Sequence, residues 1–399
     1  MDIINVPQSE LKQRMSRFIS EMDKAHEAWE LCAITGAASM FYLTGTICDG
    51  LLLIPRNGEG TLWVRRSYER AILESEFADI RQMSSFRTVA ETLDSKLPYT
   101  LYLDTAHATL EWYSMLTKHL PFKEVLSNDA AIMNARSIKS EYELMRMRRA
   151  GSESDSLLTA GLMELVEDGI SEAVLGAKLL TQFIKKGHHG ISRFNMRNAA
   201  DLLGHIAFGA GSLFPSVFNG ASGTAGFYPA APAMGRHTRH LSPGDLIYID
   251  VCFGFDGYHV DKTQIYSYKA PPPDNVLAAH RHCLELERQA AKLLRPGAKP
   301  SDIYEEILAL VRQEHSDSFM GAPGRTVPFI GHSVGLSVDE TPVIARGFDS
   351  PLEENMTIAI EPKIGFEGIG LVGSENTYLV TDSGGVSLTG VPLDIIRIG

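Results

Sequence analysis

Strongly apolar strand sequences that carry acidic residues are the feature that most limits what this chain can fold into. The segment 246–251 is a nearly continuous apolar run that predicts a buried strand, and it contains Asp250. A turn sequence separates it from a second strand that contains Asp261. If the turn centres between Phe255 and Asp256, the two carboxylates are equidistant from it. They then face each other across the hairpin, with Cβ atoms about 5 Å apart.

Opposed carboxylates on apolar strands repel each other and lose hydration, so a shared proton or a cation has to compensate them. The same arrangement recurs near the C-terminus, where Glu361 and Glu375 are symmetric about Gly368. Four such carboxylates in one place predict two divalent metal ions. The alternative is that they are unrelated acids on edge strands.

A nitrogen ligand is offered by His332, which follows an apolar segment and lies between the two acidic hairpins in the sequence. A lone histidine in this position is more often structural, but its place beside the acidic pairs makes it the candidate. Oxygen-rich ligands with one imidazole favour Mn, Co, Fe or Zn. Two such ions bridge a water and lower its pKa, and Glu361 is then the candidate base that moves the proton.

The chain of 399 residues, 44% of them apolar, is long enough for two domains. The first third alternates helical and strand patterns: a helix over about 8–28, strands near 31–35 and 50–54, and two short strands predicted within the uncharged stretch 31–48. Nothing in this part looks catalytic. We therefore expect a small α/β domain here.

The second part repeats one pattern of two helices followed by strands with acidic residues. Ser140 opens a capping box for a helix that we expect to end at Gly169, and Ser171 caps the next helix. In the second copy, a helix from about 275 ends near Leu294, and Ser301 is expected to cap another. The Gly-rich segment 187–243 is predicted to be mostly loop, packed against the site.

The bulk composition points to a small substrate. A formal net charge of −12 without basic clusters argues against nucleic acid and anionic membranes as partners. Four cysteines without C-x-x-C spacing are expected to be buried thiols of a reducing compartment. Because no secretory signal is recognised at the N-terminus, a cytoplasmic location is the expectation.

With these residues in place, the sequence resembles the pita-bread metallopeptidases of family M24, which include methionine aminopeptidase, prolidase and creatinase. The matching motifs are Gly244-Asp245 through Asp250, Asp261-Lys-Thr, Gly331-His332-Ser-Val-Gly335, Thr341-Pro342, Ile360-Glu361-Pro362 and Glu375-Asn-Thr. Tyr42-Leu-Thr-Gly45 and Arg136-Ser-Ile-Lys-Ser140 are similar to the branch that contains creatinase, prolidase and Xaa-Pro aminopeptidase.

The resemblance implies an α+β fold, with a creatinase-like α/β domain over residues 1–126 and a pita-bread catalytic domain, a duplicated helix-helix-sheet unit, over 127–399. It also implies a homodimer and the metal ligands Asp250, Asp261, His332, Glu361 and Glu375.

Two usual family histidines are replaced here. The position seven residues after His332 is Asp339, and an expected Pro-His aligns with Pro232-Ala233. Asp339 and His205 are therefore the candidates, beside Glu361, for catalytic groups other than ligands, with His188 and His189 as further substitutes.

The sequence thus predicts a dinuclear metal-dependent hydrolase that cleaves short peptides from the N-terminus, in the manner of an Xaa-Pro aminopeptidase or dipeptidase. One alternative keeps the metals for a lyase or amidohydrolase reaction on a small non-peptide metabolite. Another is a binding protein on a retired peptidase scaffold, which retention of all the ligands disfavours.

Overall fold

The computed structural model describes residues 5–93, 97–196, 200–217 and 219–399. The chain divides into two compact units, Met1–Arg136 and Ser137–Gly399. Both units combine helices with sheets, which agrees with the predicted α+β class.

The elements of the first unit are α1 Gln8–Ala25, β1 Leu31–Ile34, α2 Ala37–Thr44, β2 Asp49–Pro55, β3 Thr61–Arg66, α3 Tyr68–Glu74, β4 Ile80–Gln82, α4 Phe86–Thr92, β5 Thr100–Leu103, α5 Leu110–Thr117, β6 Glu124–Ser127 and α6 Asp129–Ser137. Its strands form one sheet with the order β4-β3-β2-β1-β5-β6. Strand β2 runs antiparallel to β1 and β3, whereas β5 runs parallel to β1 and β6.

The prediction of two short strands within 31–48 is half wrong, because only the first is a strand. Gly36 is the N-cap of helix α2, and Gly45, with φ of 77°, is its C-cap in the left-handed conformation. The small residues after Gly36 form the first helical turn and not a strand-to-strand turn. A glycine at the C-terminal end of an apolar run is typical of a helix terminus.

The second unit begins with helices whose N-termini follow the sequence signals. The elements up to the first hairpin are α7 Glu141–Thr159, α8 Glu172–Lys185, β7 Ser192–Arg193, β8 Ala200–Asp201, β9 Gly204–Phe208, β10 Leu246–Phe255 and β11 Tyr258–Tyr268. The capping box at Ser140 and the cap at Ser171 are confirmed. Helix α7 ends at Thr159, well before Gly169, and a short 3₁₀ turn follows it.

The remaining elements are α9 Asp274–Leu293, α10 Pro300–Leu310, β12 Gly321–Ala322, β13 Arg325–Thr326, β14 Phe329–Ser333, β15 Glu340–Ala345, β16 Thr357–Ile360, β17 Lys363–Phe366, β18 Gly370–Gly373, β19 Asn376–Thr381, β20 Gly384–Ser387 and β21 Ile396–Ile398. The predicted cap of α10 is wrong. Its N-cap is Lys299 and Pro300 is its first residue, a position where the missing N–H of proline costs no hydrogen bond.

Two helices followed by a sheet therefore occur twice in this unit. After α7 and α8 comes a sheet with the order β21-β11-β10-β9, and after α9 and α10 comes one with the order β15-β14-β16-β19-β20. Apolar side chains from both sheets and from α9 and α10 share one core. The sheets meet where Thr263 of β11 bridges Glu375, so acids from both copies are brought to one place.

Two further expectations concern membranes and thiols. Among the helices of the described ranges, none is both long and apolar enough to cross a bilayer. The four cysteines are free thiols; Cys48 is half-buried and the other three are buried.

Candidate metal centre

The first acidic hairpin is closed one residue later than the sequence suggested. Phe255 pairs with Tyr258, which leaves Asp256 and Gly257 as a two-residue turn. Their φ angles of 48° and 93° suit the left-handed turns that Asp-Gly sequences favour in hairpins. Consequently Asp250 lies opposite Thr263, and Asp261 lies opposite Cys252.

The predicted direct pairing of Asp250 with Asp261 is therefore wrong, and the two residues are diagonal neighbours. Asp261 lies two positions along the paired strands from the residue opposite Asp250, and side chains two positions apart share a face. Both carboxylates therefore point to the same face of the sheet. The error changes their separation and leaves their convergence intact.

The second acidic hairpin has the predicted symmetry. Ile360 pairs with Asn376, and Phe366 pairs with Gly370. Both pairs are symmetric about Gly368, which places Glu361 and Glu375 across from each other at the break between the two halves of the hairpin.

Three side chains converge so closely that they can hold one metal ion. Asp261, His332 and Glu375 each offer a ligand atom, and these atoms lie within 4.8 Å of one another. His332 Nδ1 is 3.2 Å from the Ser333 carbonyl oxygen. A proton on Nδ1 serves this contact and leaves Nε2 as the lone-pair donor that a metal requires.

Burial and mutual repulsion act on these acids together. Burial, and next to it the charge of Asp250, raises the pKa of Asp261 to about 6. Burial, and next to it the charge of Asp261, also raises the pKa of Glu375 well above its usual value. Oδ1 of Asp261 has no hydrogen-bond partner among the described residues. A buried carboxylate oxygen that lacks a hydrogen-bond donor is a suitable ligand for a cation.

Asp250 and Glu361 share a different neighbour, the buried ammonium of Lys363. Lys363 Nζ lies 2.7 Å from Glu361 Oε2, 2.9 Å from Glu375 Oε2 and 3.3 Å from Asp250 Oδ2. Burial disfavours this ammonium, but the carboxylates outweigh burial and hold the pKa of Lys363 well above its usual value. Burial likewise opposes ionisation of Asp250, and Lys363 and His205 reverse that effect and lower its pKa.

Lys363 is not among the predicted site residues, although one sequence signal points to it. It follows Glu361 by two positions, and side chains two apart in a strand share a face. A lysine on the same face as a predicted metal ligand was therefore a candidate member of the site.

His205 lies in the wall of the site, opposite Asp250 in the pairing of β9 with β10. Its Nδ1 is 3.0 Å from Ser222 Oγ, which donates to Asp250 Oδ2 at 2.5 Å. Burial lowers the pKa of His205, so the imidazole is neutral near neutral pH. The segment 187–243 thus supplies part of the site, as predicted.

Asp339 also lines the cavity, but its carboxylate is already engaged by a loop. Oδ1 accepts from the Asn195 backbone N–H at 2.6 Å, and Oδ2 accepts from the Met196 N–H at 3.1 Å. Burial raises the pKa of Asp339 and these backbone bonds oppose the shift. Both carboxylate oxygens of Asp339 thus bind the backbone of this loop.

The two other histidines considered as substitutes make structural contacts. His188 Nδ1 accepts from the Gly254 backbone N–H at 2.8 Å. His189 Nε2 lies 3.3 Å from His259 Nε2.

A cavity of about 320 Å³ opens onto the acidic cluster. Its walls include the predicted ligands together with the loop residues Phe194 and Met196, and Ser222 and Asp339. This volume is at the small end of ligand sites, so a compact substrate fits it better than a long chain.

Comparison with known proteins places these features in a family. Residues 145–382 match the sequence model of Metallopeptidase family M24, and residues 14–138 match that of the Creatinase/Prolidase N-terminal domain. A probable dipeptidase, PepE, of Mycobacterium tuberculosis is 28% identical over 92% of this chain and 91% of its own length. An Xaa-Pro dipeptidase of Pyrococcus furiosus is 23% identical over 95% of this chain and 98% of its own.

The fold is also that of known structures. The prolidase from Pyrococcus horikoshii superimposes with a TM-score of 0.78 at 22% identity, covering 96% of this chain and 100% of the other. The predicted creatinase-like N-terminal domain and pita-bread domain are thereby confirmed.

Proposed function

The chain belongs to metallopeptidase family M24, and from this premise we propose that it hydrolyses short peptides from the N-terminus, as an Xaa-Pro dipeptidase or aminopeptidase. The observation that carries the proposal is the convergence of Asp261, His332 and Glu375 on one metal-sized position at the wall of a small cavity. The substrate class is supported by the names of the relatives. They are named as dipeptidases, and their similarity to this chain extends over nearly their whole length.

The donor set fits a divalent metal ion, because two carboxylates and an imidazole converge and one buried oxygen of Asp261 lacks a donor among the described residues. Such an ion supplies Lewis-acid activation of the scissile carbonyl and of the attacking water. The oxygen-rich set with one imidazole favours Mn, Co, Fe or Zn, and the identity of the ion is part of the proposal.

Glu361 is placed to move the proton. Its Oε1 lies 3.6 Å from His332 Nε2, and Lys363 fixes its other oxygen at 2.7 Å. A carboxylate held in this way at the cavity wall takes a proton from the attacking water and delivers it to the leaving amine.

Two further residues complete the proposed site. His205, neutral and buried beside Asp250, is proposed to face the substrate from the opposite wall. Asp339 is proposed to act as a positioning residue, because both of its oxygens bind the backbone of the loop that narrows the cavity. We also propose a homodimer, from the family resemblance, and a cytoplasmic location, from the sparse and unpaired cysteines.

The test is release of amino acids from a library of dipeptides and Xaa-Pro peptides by the Mn²⁺-, Co²⁺- or Zn²⁺-loaded protein. Asp261→Ala should abolish release, because it removes a ligand. Glu287→Gln is the matched control: Glu287 is a buried acid whose Oε1 accepts from Asn376 and Tyr378, and glutamine keeps that acceptor. Metal-loaded protein that releases nothing from any peptide would refute the peptidase proposal.

The alternative reaction on a non-peptide metabolite receives no support from the proteins compared above, which are all named as peptidases. The binding-protein hypothesis predicts that purified protein binds no metal at saturating concentrations, and metal analysis decides it.

A further inference from the structure

We propose that Lys363 is a built-in cation that takes the place of one of the two predicted metal ions, so that the site accepts a single divalent ion at Asp261, His332 and Glu375. The inference rests on the proposed function, since it refines the metal content of that same centre. It replaces the prediction of two ions with one ion and one ammonium.

The ammonium of Lys363 has all of its donors matched. Three N–H groups are available, and three carboxylate oxygens lie within 3.3 Å, one each from Asp250, Glu361 and Glu375. A second metal ion held by these acids would compete with this ammonium for them, and it would lie beside a fixed positive charge.

The acids around Lys363 are also supplied with neutral donors. Oδ2 of Asp250 accepts from Ser222 Oγ at 2.5 Å and from the Tyr248 hydroxyl at 3.0 Å. Oε2 of Glu375 accepts from Thr263 Oγ1 at 2.8 Å. Hydroxyl protons aimed at an oxygen oppose metal coordination by that oxygen, because both compete for its lone pairs.

The position around Asp261 has the opposite character. Its Oδ1 has no hydrogen-bond partner among the residues that the structure describes, and the cluster of ligand atoms lies there. The centre is therefore divided into a half rich in donors, filled by Lys363, and a half that lacks a donor at Asp261. A divalent ion is required only in the second half.

The fold makes room for the lysine. Lys363 pairs with Gly373 across β17 and β18. A Cβ at Gly373 would lie 2.8 Å from Lys363 Cα and 3.0 Å from Lys363 Cγ, closer than side chains pack. The Lys363 side chain is 1% exposed, so its ammonium group cannot turn into solvent.

The experiment is the number of Mn²⁺ ions bound per chain, measured by elemental analysis after desalting and by calorimetric titration. We expect one ion for the wild type and two for Lys363→Ala, which removes the ammonium and opens its space. Lys262→Ala is the matched control. Lys262 is an equally buried lysine, but its ammonium contacts Asn376, Asp155 and the Thr389 carbonyl, and its ion count should stay at one.

Each outcome decides. Two ions bound to the wild type would overturn the inference and leave the peptidase proposal standing. A count of one in folded Lys363→Ala would overturn the claim that the lysine excludes the second ion. No ion bound to the wild type would overturn the proposed function together with the inference. If Lys363→Ala does not fold, electron paramagnetic resonance of the Mn²⁺-saturated wild type still decides, since two adjacent ions give an exchange-coupled signal and one ion does not.

Discussion

Asp261→Asn should stabilise the protein when metal is absent and prevent the stabilisation that metal provides. The pKa of Asp261 is raised from its ordinary 3.8 to about 6, chiefly by burial. Because the native state holds this proton more tightly than the unfolded state, stability is lost as the pH rises from 3.8 through about 6. Above both values the loss amounts to about 3 kcal/mol.

Asparagine has nearly the same shape and no charge to bury. It still leaves a polar oxygen without a partner, which costs about 1 kcal/mol, so the expected net gain is about 2 kcal/mol. The assay is urea denaturation in the presence of a chelator, at about pH 8 and again below pH 4, where the gain should disappear.

With saturating Mn²⁺ the order should reverse, since only the wild type gains stability from binding the ion. Metal-free Asp261→Asn that is less stable than metal-free wild type at the higher pH would refute the reasoning. It would mean that burial and the neighbouring charges do not destabilise the ionised Asp261 carboxylate in the metal-free protein.

Three further predictions test other parts of the account. Gly257→Ala should lower the free energy of unfolding by about 1 kcal/mol, because φ is 93° at this position, whereas Asp256→Gly should leave it unchanged. Urea denaturation of both variants measures this difference, and equal losses of stability would contradict the turn assignment. His259→Gln should reduce the loss of stability in acid. Burial lowers the pKa of His259 to about 4, so the free energy of unfolding of the wild type falls by about 3 kcal/mol as the pH drops from about 6.5 through 4. The same dependence of stability on acid pH in the variant and the wild type would contradict this prediction. Lys139→Met should lower the free energy of unfolding by about 3–5 kcal/mol, because it leaves Glu340 charged and buried. Adding Glu340→Gln should recover part of that loss in the same denaturation assay, and no recovery would contradict the pairing of the two residues.

The metal ligands were predictable because their sequence setting is energetically unusual. Acids within apolar strands need a compensating charge, and the symmetric placement of Glu361 and Glu375 about Gly368 fixed which face they share. The predicted direct pairing of Asp250 with Asp261 was wrong because a shift of the turn by one residue changes the register of the whole hairpin. Placing the turn at Asp256-Gly257, the stronger signal, would have given the observed diagonal arrangement.

The remaining features depend on contacts between distant parts of the chain. Lys363 is recognisable as a cation of the centre only when the strands bearing Asp250 and Glu375 lie next to it. The role of Asp339 similarly depends on the loop at Asn195, which is far away in the sequence. Local patterns identify which side chains need partners, but tertiary packing selects those partners.

The most direct test of the account is a crystal structure of the protein soaked in Mn²⁺, with the ion located by its anomalous scattering. We predict one strong peak, bounded by Asp261, His332 and Glu375, with Lys363 still in contact with Asp250 and Glu361. Crystals that hold Mn²⁺ elsewhere but show no peak among those three side chains would contradict the claim that they form the metal centre.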